Sequence, residues 1–221
     1  MNVLIVGASR GIGFEFVRQY RAAGARVTAT ARDEAGLARL RALGAEALAL
    51  DVTDAASCAR LAWPIDGARF DVAVYNAGVY GQDSRGLQPP EQSVFDATMH
   101  ANVLGAMRVL PSLREALAPG AKLAVISSRM GSIGERAANF GWLYRASKAA
   151  VNSVLKDVSI DYAGRATCVA FHPGWVRTDM GGAGADLSVE ESVSSLRRTL
   201  AALTPGEHGR FLNHDGSPIA W

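Results

Sequence analysis

Short apolar runs alternate with amphipathic stretches along the whole chain. Residues 3–6 form an apolar run that ends at Gly7, which is typical of a strand covered on both faces. Residues 14–23 then carry apolar side chains at helical spacing and end at Gly24. The same pattern predicts strands at residues 3–6, 26–30, 47–50, 70–75, 123–127, 167–171 and 209–212, and helices at 14–23, 34–43, 54–62, 91–117, 144–162 and 189–203.

This order of elements predicts an α/β protein: an open, parallel sheet with helices on both faces. The loops at residues 81–90 and 180–188 are too short to separate domains, so we expect residues 1–221 to form one domain. Ligands of such sheets bind beyond the carboxyl ends of the strands. The chemistry is therefore expected in the loops after the first, fourth, fifth and sixth strands.

Composition and charge exclude several classes of protein. Apolar residues make up 49% of the 221 residues, which is enough for a sizeable core, and the formal charge of +2 is too small for a nucleic-acid-binding protein. Cys58 and Cys168 are too far apart in sequence for a disulfide framework or a cysteine zinc site, and we expect no bound metal. We find no membrane span and no signal peptide, and expect a cytoplasmic protein.

A glycine-rich loop follows the first predicted strand and opens the first helix. Residues 7–13 read Gly7-Ala8-Ser9-Arg10-Gly11-Ile12-Gly13. Glycines let the backbone approach a phosphate, and the N–H groups of a helix N-terminus attract anions. The loop therefore predicts a dinucleotide site, the alternative being a tight turn that binds nothing.

The end of the second strand bears on which nucleotide is bound. A free ribose 2′-hydroxyl is usually held by an acidic residue there, but this chain has Ala31 followed by Arg32. Together with Arg10, Arg32 would suit a 2′-phosphate, which favours NADP(H) over NAD(H). The alternative is that Asp33 or Glu34 is the ribose-binding acid.

Tyr144 and Lys148 lie four residues apart at the start of an apolar helix, so they share one face. A nearby ammonium favours the phenolate and would lower the pKa of the tyrosine, which would make it a usable acid or base. The alternative is an ordinary exposed pair.

Five motifs occur in order at the strand ends: the glycine loop, Asn76-Ala77-Gly78, Ser128, Tyr144 with Lys148, and Pro173-Gly174. In this set the chain resembles the short-chain dehydrogenase/reductase family over nearly its whole length. The resemblance implies a Rossmann fold, doubly wound around about seven parallel strands. It also implies hydride transfer between a nicotinamide cofactor and a carbonyl or alcohol substrate. The segment at 127–148 and the ending at 211–221 resemble the subgroup that includes the C-factor cell-signalling protein.

The resemblance assigns roles to four catalytic candidates. Tyr144 would be the general acid/base, and Lys148 would hold the nicotinamide ribose and lower the pKa of the tyrosine. Ser128, spaced as Ser-x-x-Gly with Gly131, would hydrogen-bond the substrate oxygen, with Ser127 and Ser132 as alternatives. Asn102 would maintain a water-linked proton relay. The predicted cofactor contacts are Gly7, Ser9, Arg10, Gly11, Ile12, Arg32, Asp51, Val52, Asn76, Ala77, Gly78, Tyr144, Lys148, Pro173, Gly174, Val176 and Thr178.

Two segments depart from the family pattern. Ser128 and Tyr144 are 16 positions apart, which is longer than is common, and the extra residues would bulge at the pocket mouth. The segment after Thr178 is short, which predicts a reduced lid, an open pocket and loose substrate choice.

These observations predict an NADP(H)-dependent reductase of small carbonyl compounds, the alternative being a cofactor-binding regulator with little turnover. The family often forms homodimers or homotetramers through the helices predicted here at 91–117 and 144–162, so we expect this chain to form one of the two.

Overall fold

Seven parallel strands form the sheet that the sequence predicts. The computed structural model describes residues 1–82 and 86–221, so the predicted loop at 81–90 lies partly outside the described residues. The strands are β1 (Asn2–Val6), β2 (Arg26–Ala31), β3 (Glu46–Ala49), β4 (Phe70–Tyr75), β5 (Leu117–Ile126), β6 (Ala166–His172) and β7 (Arg210–Asn213). Their order in the sheet is β3-β2-β1-β4-β5-β6-β7, so the order reverses between β1 and β4. Such a switch point is where open α/β sheets bind their ligands.

Helices cover both faces of the sheet, which gives a doubly wound Rossmann fold. They are α1 (Gly11–Ala22), α2 (Glu34–Ala42), α3 (Ala55–Ile65), α4 (Gln92–Met99), α5 (Gly105–Val109), α6 (Trp142–Asp161) and α7 (Val189–Ala202), with 3₁₀ turns at Leu110–Leu113, Arg129–Gly131 and Pro205–Glu207. Asp54 caps α3, because its carboxylate accepts hydrogen bonds from the N–H groups of Ala56 and Ser57. The helix runs through Pro64, past its predicted end, since a proline in the last turn costs only one intrahelical hydrogen bond.

The two faces of the sheet are buried in separate cores. Val3 and Ile5 of β1 pack with side chains of α1, α2 and α7, such as Phe16. The alternating residues Leu4 and Val6 point to the other face and pack with α3, α5 and α6. Burial on both faces explains why the strands read as apolar runs.

The long helix predicted over residues 91–117 is wrong in two respects. It is interrupted at His100–Leu104, where the backbone forms a π-helical turn, and it ends in the 3₁₀ turn Leu110–Leu113 that contains Pro111. Leu117 lies in β5, where it pairs with Phe70 ahead of a register irregularity. The proline lacks an N–H, which favours the helix end there, and the pairing with β4 determines the conformation of the last residues.

Within the described ranges, no helix has both the length and the apolar character needed to cross a bilayer. In that same part of the chain, no cluster of three or more His, Cys, Asp or Glu side chains is arranged to hold a metal ion.

Candidate active site

A cleft of about 520 Å³ opens at the carboxyl ends of the strands, beside the switch point. Most of the predicted cofactor-binding residues line it: Gly7, Ser9, Arg10, Gly11, Ile12, Arg32, Asp51, Val52, Asn76, Ala77, Gly78, Tyr144, Pro173 and Thr178. The residues that do not line it are Gly174, Val176 and Lys148, together with the catalytic candidates Asn102 and Ser128. The cleft therefore brings the predicted cofactor site and the predicted tyrosine into one space.

The glycine loop forms a cradle that no side chain fills. Gly7 has a φ of +83°, and a Cβ on it would lie 2.7 Å from the Cα of Ala77. A Cβ on Gly13 would lie 2.2 Å from the Gly7 carbonyl oxygen. That same oxygen accepts a hydrogen bond of 2.7 Å from the Asn76 amide, which ties the loop to the turn after β4.

The first turn of α1 faces the cleft through Gly11 and Ile12, and the N-cap residue Arg10 does not cap it with its side chain. The N–H groups of that turn can therefore bind an anion. The glycine cradle and this helix start together fit the diphosphate of a dinucleotide.

Each of the two arginines of the predicted 2′-phosphate site faces an acid. Arg10 donates a hydrogen bond of 2.5 Å to the Asp179 carboxylate. Arg32 lies near Asp51, and hydrogen bonds from Thr53 together with this positive charge hold the pKa of the Asp51 carboxyl below its usual value. Both arginines line the cleft.

The acidic residues that follow β2 have structural partners. Asp33 caps α2 by accepting a 2.7 Å hydrogen bond from the Gly36 N–H, and Glu34 pairs with Arg41. This favours the cap over a ribose contact as the role of Asp33. Arg39, which the sequence analysis did not single out, donates to the Ser9 carbonyl and adds a third cation to this corner.

Tyr144 and Lys148 lie on the inner face of α6, and both are buried. The Lys148 ammonium donates a 3.0 Å hydrogen bond to the Ile126 carbonyl at the end of β5. It lies 5.7 Å from the centre of the Tyr144 ring, whose other neighbours include the ring of Tyr80, 4.7 Å away between centroids. The shared helix face predicted from the spacing of four is thus present.

Burial determines the protonation of both groups. It raises the pKa of the Tyr144 phenol above its ordinary value, and a hydrogen bond with Ser128 opposes this rise only in part. Burial also lowers the pKa of Lys148 to about 8. The sequence predicts that Lys148 lowers the pKa of Tyr144, but in this structure the pKa of Tyr144 is raised. The reason is that loss of hydration disfavours the charged forms of both side chains.

Titration of Lys148 is expected to make the free energy of unfolding rise with pH. Its pKa is about 8 in the folded state and has the ordinary value of 10.5 in the unfolded chain. At pH values between these two, the unfolded chain therefore binds more protons than the folded protein does. Between about pH 8 and 10 the free energy of unfolding should rise by roughly 2 kcal/mol, and this gain is lost as the pH falls through 8. Urea unfolding across this range should give a flatter profile for Lys148→Met, and equal slopes would contradict the assignment.

Ser128 is better placed than either alternative serine to face Tyr144. It begins the turn Arg129–Gly131, and a Cβ on Gly131 would lie 2.7 Å from the backbone carbon of Lys148, so the turn packs directly on α6. The Ser127 hydroxyl donates to the buried Asn152 side chain. The Ser132 hydroxyl donates to the Ala220 carbonyl, away from the tyrosine.

Asn102 lies in the π-helical turn and braces the loop after β4. Its amide oxygen accepts a 2.7 Å hydrogen bond from the Val79 N–H, and its amide nitrogen donates to the Val79 carbonyl and to the Ser147 hydroxyl. All three contacts are made by a side chain that is 1% exposed. The family pattern assigns Asn102 to a proton relay, and in this structure its side chain holds the backbone of Val79 at the cleft wall.

The segment after β6 contributes to the lining of the cleft. Gly174 has a φ of +87°, and a Cβ on it would lie 2.5 Å from the Leu187 side chain. Val176 is buried and pairs with Leu187, so both residues pack against Leu187. Arg177, Thr178, Asp179 and Met180 line the cleft. The Met180 sulfur lies 3.9 Å from the Tyr144 hydroxyl. Asp179 and Met180 were not predicted from the sequence, although both directly follow Thr178.

A glycine cradle beside a buried serine, tyrosine and lysine, at the switch point of a parallel sheet, is the arrangement of a Rossmann-fold oxidoreductase. The family model for short chain dehydrogenase matches residues 1–186, and the chain belongs to this family.

The comparisons with individual proteins agree with this assignment. C-signal of Myxococcus xanthus is 36% identical over 154 residues, which are 68% of this chain and 92% of that protein. A short-chain dehydrogenase/reductase from Burkholderia multivorans with bound NADP has a TM-score of 0.90 at 30% identity, covering 100% of this chain and 99% of the other. A carbonyl reductase from Pseudomonas aeruginosa PAO1 in complex with NADP has a TM-score of 0.84 at 32% identity, with the same coverage.

Proposed function

We propose that this chain is an NADP(H)-dependent oxidoreductase that reduces a small aldehyde or ketone, with residues 1–221 acting as one cofactor-binding domain. The observation that carries the proposal is the buried Tyr144, with the Lys148 ammonium beside its ring, in a cleft that the glycine loop also lines. The solved relatives with bound NADP support the cofactor class. The carbonyl reductase among them supports the substrate class.

A nicotinamide cofactor bound in this cleft would supply or accept the hydride. The residues of the chain handle the oxygen and the proton. The raised pKa of Tyr144 keeps its phenol protonated at neutral pH, so the group carries the proton that a carbonyl oxygen takes up during reduction. A pKa nearer to neutrality would make the phenol a stronger acid, and the Lys148 ammonium beside its ring is the cation that favours such a shift. Ser128 accepts a hydrogen bond from the Met130 N–H, which orients its hydroxyl to donate to the same substrate oxygen.

Lys148 is proposed to hold the nicotinamide ribose from beside the tyrosine. Its ammonium already donates to the Ile126 carbonyl, which fixes the end of the side chain at the cleft wall. Asn102 is proposed to keep the neighbouring loop in place, because it satisfies both backbone groups of Val79. Water exclusion is proposed to come in part from Met180, which covers the tyrosine hydroxyl.

The proposal is tested by the oxidation of NADPH with a panel of aldehydes, ketones and quinones, together with direct binding of NADPH and NADH. Turnover of at least one carbonyl class, with tighter binding of NADPH, is the expected result. Tight binding without turnover of any carbonyl would favour a cofactor-binding regulator. Tighter binding of NADH would contradict the assignment of the corner after β2 to a 2′-phosphate.

Arg32 is expected to contribute to the preference for NADPH. Replacing it by Ala removes a charge-assisted hydrogen bond to a 2′-phosphate and should weaken NADPH binding about tenfold, with little effect on NADH. Fluorescence titration with both cofactors measures this ratio. Arg26, exposed at the opposite end of β2, provides the matched control, since Arg26→Ala should leave both affinities unchanged. Equal losses for both cofactors in Arg32→Ala would argue for a structural role.

A further inference from the structure

An ion pair joins the two sides of the cleft at its mouth. Arg10 belongs to the glycine loop and Asp179 to the segment after β6, and both line the cleft. Their guanidinium and carboxylate are 2.5 Å apart, while the two side chains are 73% and 77% exposed. The two loops also approach one another at Thr178, whose methyl group would lie 3.5 Å from a Cβ on Gly11.

Arg10 therefore has two competing partners if the proposed function holds. We propose that Asp179 is a specificity-determining residue, which competes with the 2′-phosphate of the cofactor for the Arg10 guanidinium. This inference rests on the proposed NADP(H) site. A phosphate monoester carries a charge close to −2 at neutral pH, against −1 for a carboxylate, so the phosphate is the stronger partner.

Two acids, Asp51 and Asp179, face the predicted phosphate-binding arginines, and Asp179 is the one whose ion pair can separate more easily. The Asp51 carboxylate accepts hydrogen bonds from both the N–H and the hydroxyl of Thr53, which hold it in a local turn. Asp179 is more than three-quarters exposed, so its carboxylate can be hydrated when Arg10 leaves. Separating Arg10 from Asp179 therefore weakens the binding only of a ligand that itself binds Arg10.

The size of the effect follows from the exposure of the pair. Exposed ion pairs change an equilibrium constant by at most about fivefold. Removal of Asp179 should thus strengthen the binding of a 2′-phosphorylated nucleotide by about two- to fivefold. A nucleotide without that phosphate leaves Arg10 on Asp179 and should gain less than twofold.

The experiment uses two fragments that differ only in the phosphate: adenosine 2′,5′-bisphosphate and adenosine 5′-monophosphate. Their binding is measured by calorimetry with the wild-type protein, Asp179→Asn, Arg10→Ala and the double variant. Asp186→Asn removes an exposed carboxylate further along the same loop and is the charge-matched control. The expected result is a gain in Asp179→Asn that is confined to the bisphosphate and is absent in the Arg10→Ala background.

Other outcomes overturn the inference in distinguishable ways. An equal gain for both nucleotides, or a gain that persists without Arg10, would mean that Asp179 acts only as a negative charge near the site. Binding of the bisphosphate by the wild-type protein with no gain in Asp179→Asn would overturn the competition and leave the proposed function intact. If neither nucleotide binds, the proposed function fails, and the inference fails with it.

Discussion

Replacing Tyr144 by Phe is expected to lower kcat for carbonyl reduction by about 10²- to 10⁴-fold, with NADPH affinity nearly unchanged. The substitution keeps the aromatic ring that packs against Tyr80 and removes only the hydroxyl that would donate the proton. The variant should therefore fold as the wild type does. Steady-state kinetics with the best carbonyl substrate, combined with a fluorescence titration of NADPH, separates the loss of chemistry from a loss of binding.

Tyr75→Phe is the matched control for this experiment. Tyr75 is buried at the end of β4, and its hydroxyl finds no hydrogen-bond partner among the residues that the structure describes. Its removal should leave activity unchanged and stability equal or slightly higher, because an unsatisfied buried hydroxyl is lost. If Tyr144→Phe instead kept more than a tenth of the activity, another group would have to be the acid.

The candidate site could be predicted where its residues are close in sequence. The glycine loop follows β1 directly, so strand, loop and helix start can be read from neighbouring residues. Tyr144 and Lys148 are four apart on α6, and helical geometry alone determines their shared face. The strands were likewise predictable, since apolar runs mark burial on both faces.

Contacts between residues far apart in sequence could not be predicted in this way. The pair of Arg10 with Asp179 joins positions 169 apart, and neither neighbourhood signals the other. The same limit explains the error over residues 91–117. Helical periodicity continues to Leu117, but pairing with Phe70 places that residue in the sheet. The pKa of Tyr144 was misjudged for a related reason, because spacing reveals a nearby cation but not the burial of both groups.

The π-helical turn at His100–Leu104 shows how such a distant contact shapes the site. A π turn adds a residue to the helical turn, and such insertions are frequent at functional sites. Here the turn contains Asn102, whose side chain bonds both backbone groups of Val79. Val79 directly follows the Asn76-Ala77-Gly78 motif, and all four residues line the cleft. The position of this cleft wall therefore depends on one buried amide.

Replacing Asn102 by Ala is accordingly expected to lower the free energy of unfolding by about 2–4 kcal/mol. The change removes three hydrogen bonds of the buried Asn102 amide, two of them to the Val79 backbone, and each contributes about 0.5–1.5 kcal/mol net. Ser147→Ala is the control, since it leaves both contacts of the amide with Val79 in place. It removes the third contact of the amide and the hydrogen bond that the Ser147 hydroxyl donates to the Tyr144 carbonyl, and it should cost about 1–2 kcal/mol. Urea unfolding measures both variants, and similar losses in the two would contradict the role of Val79. At a temperature where Asn102→Ala stays folded, its KM for NADPH should still rise, because the wall formed by residues 76–79 is no longer braced against α6.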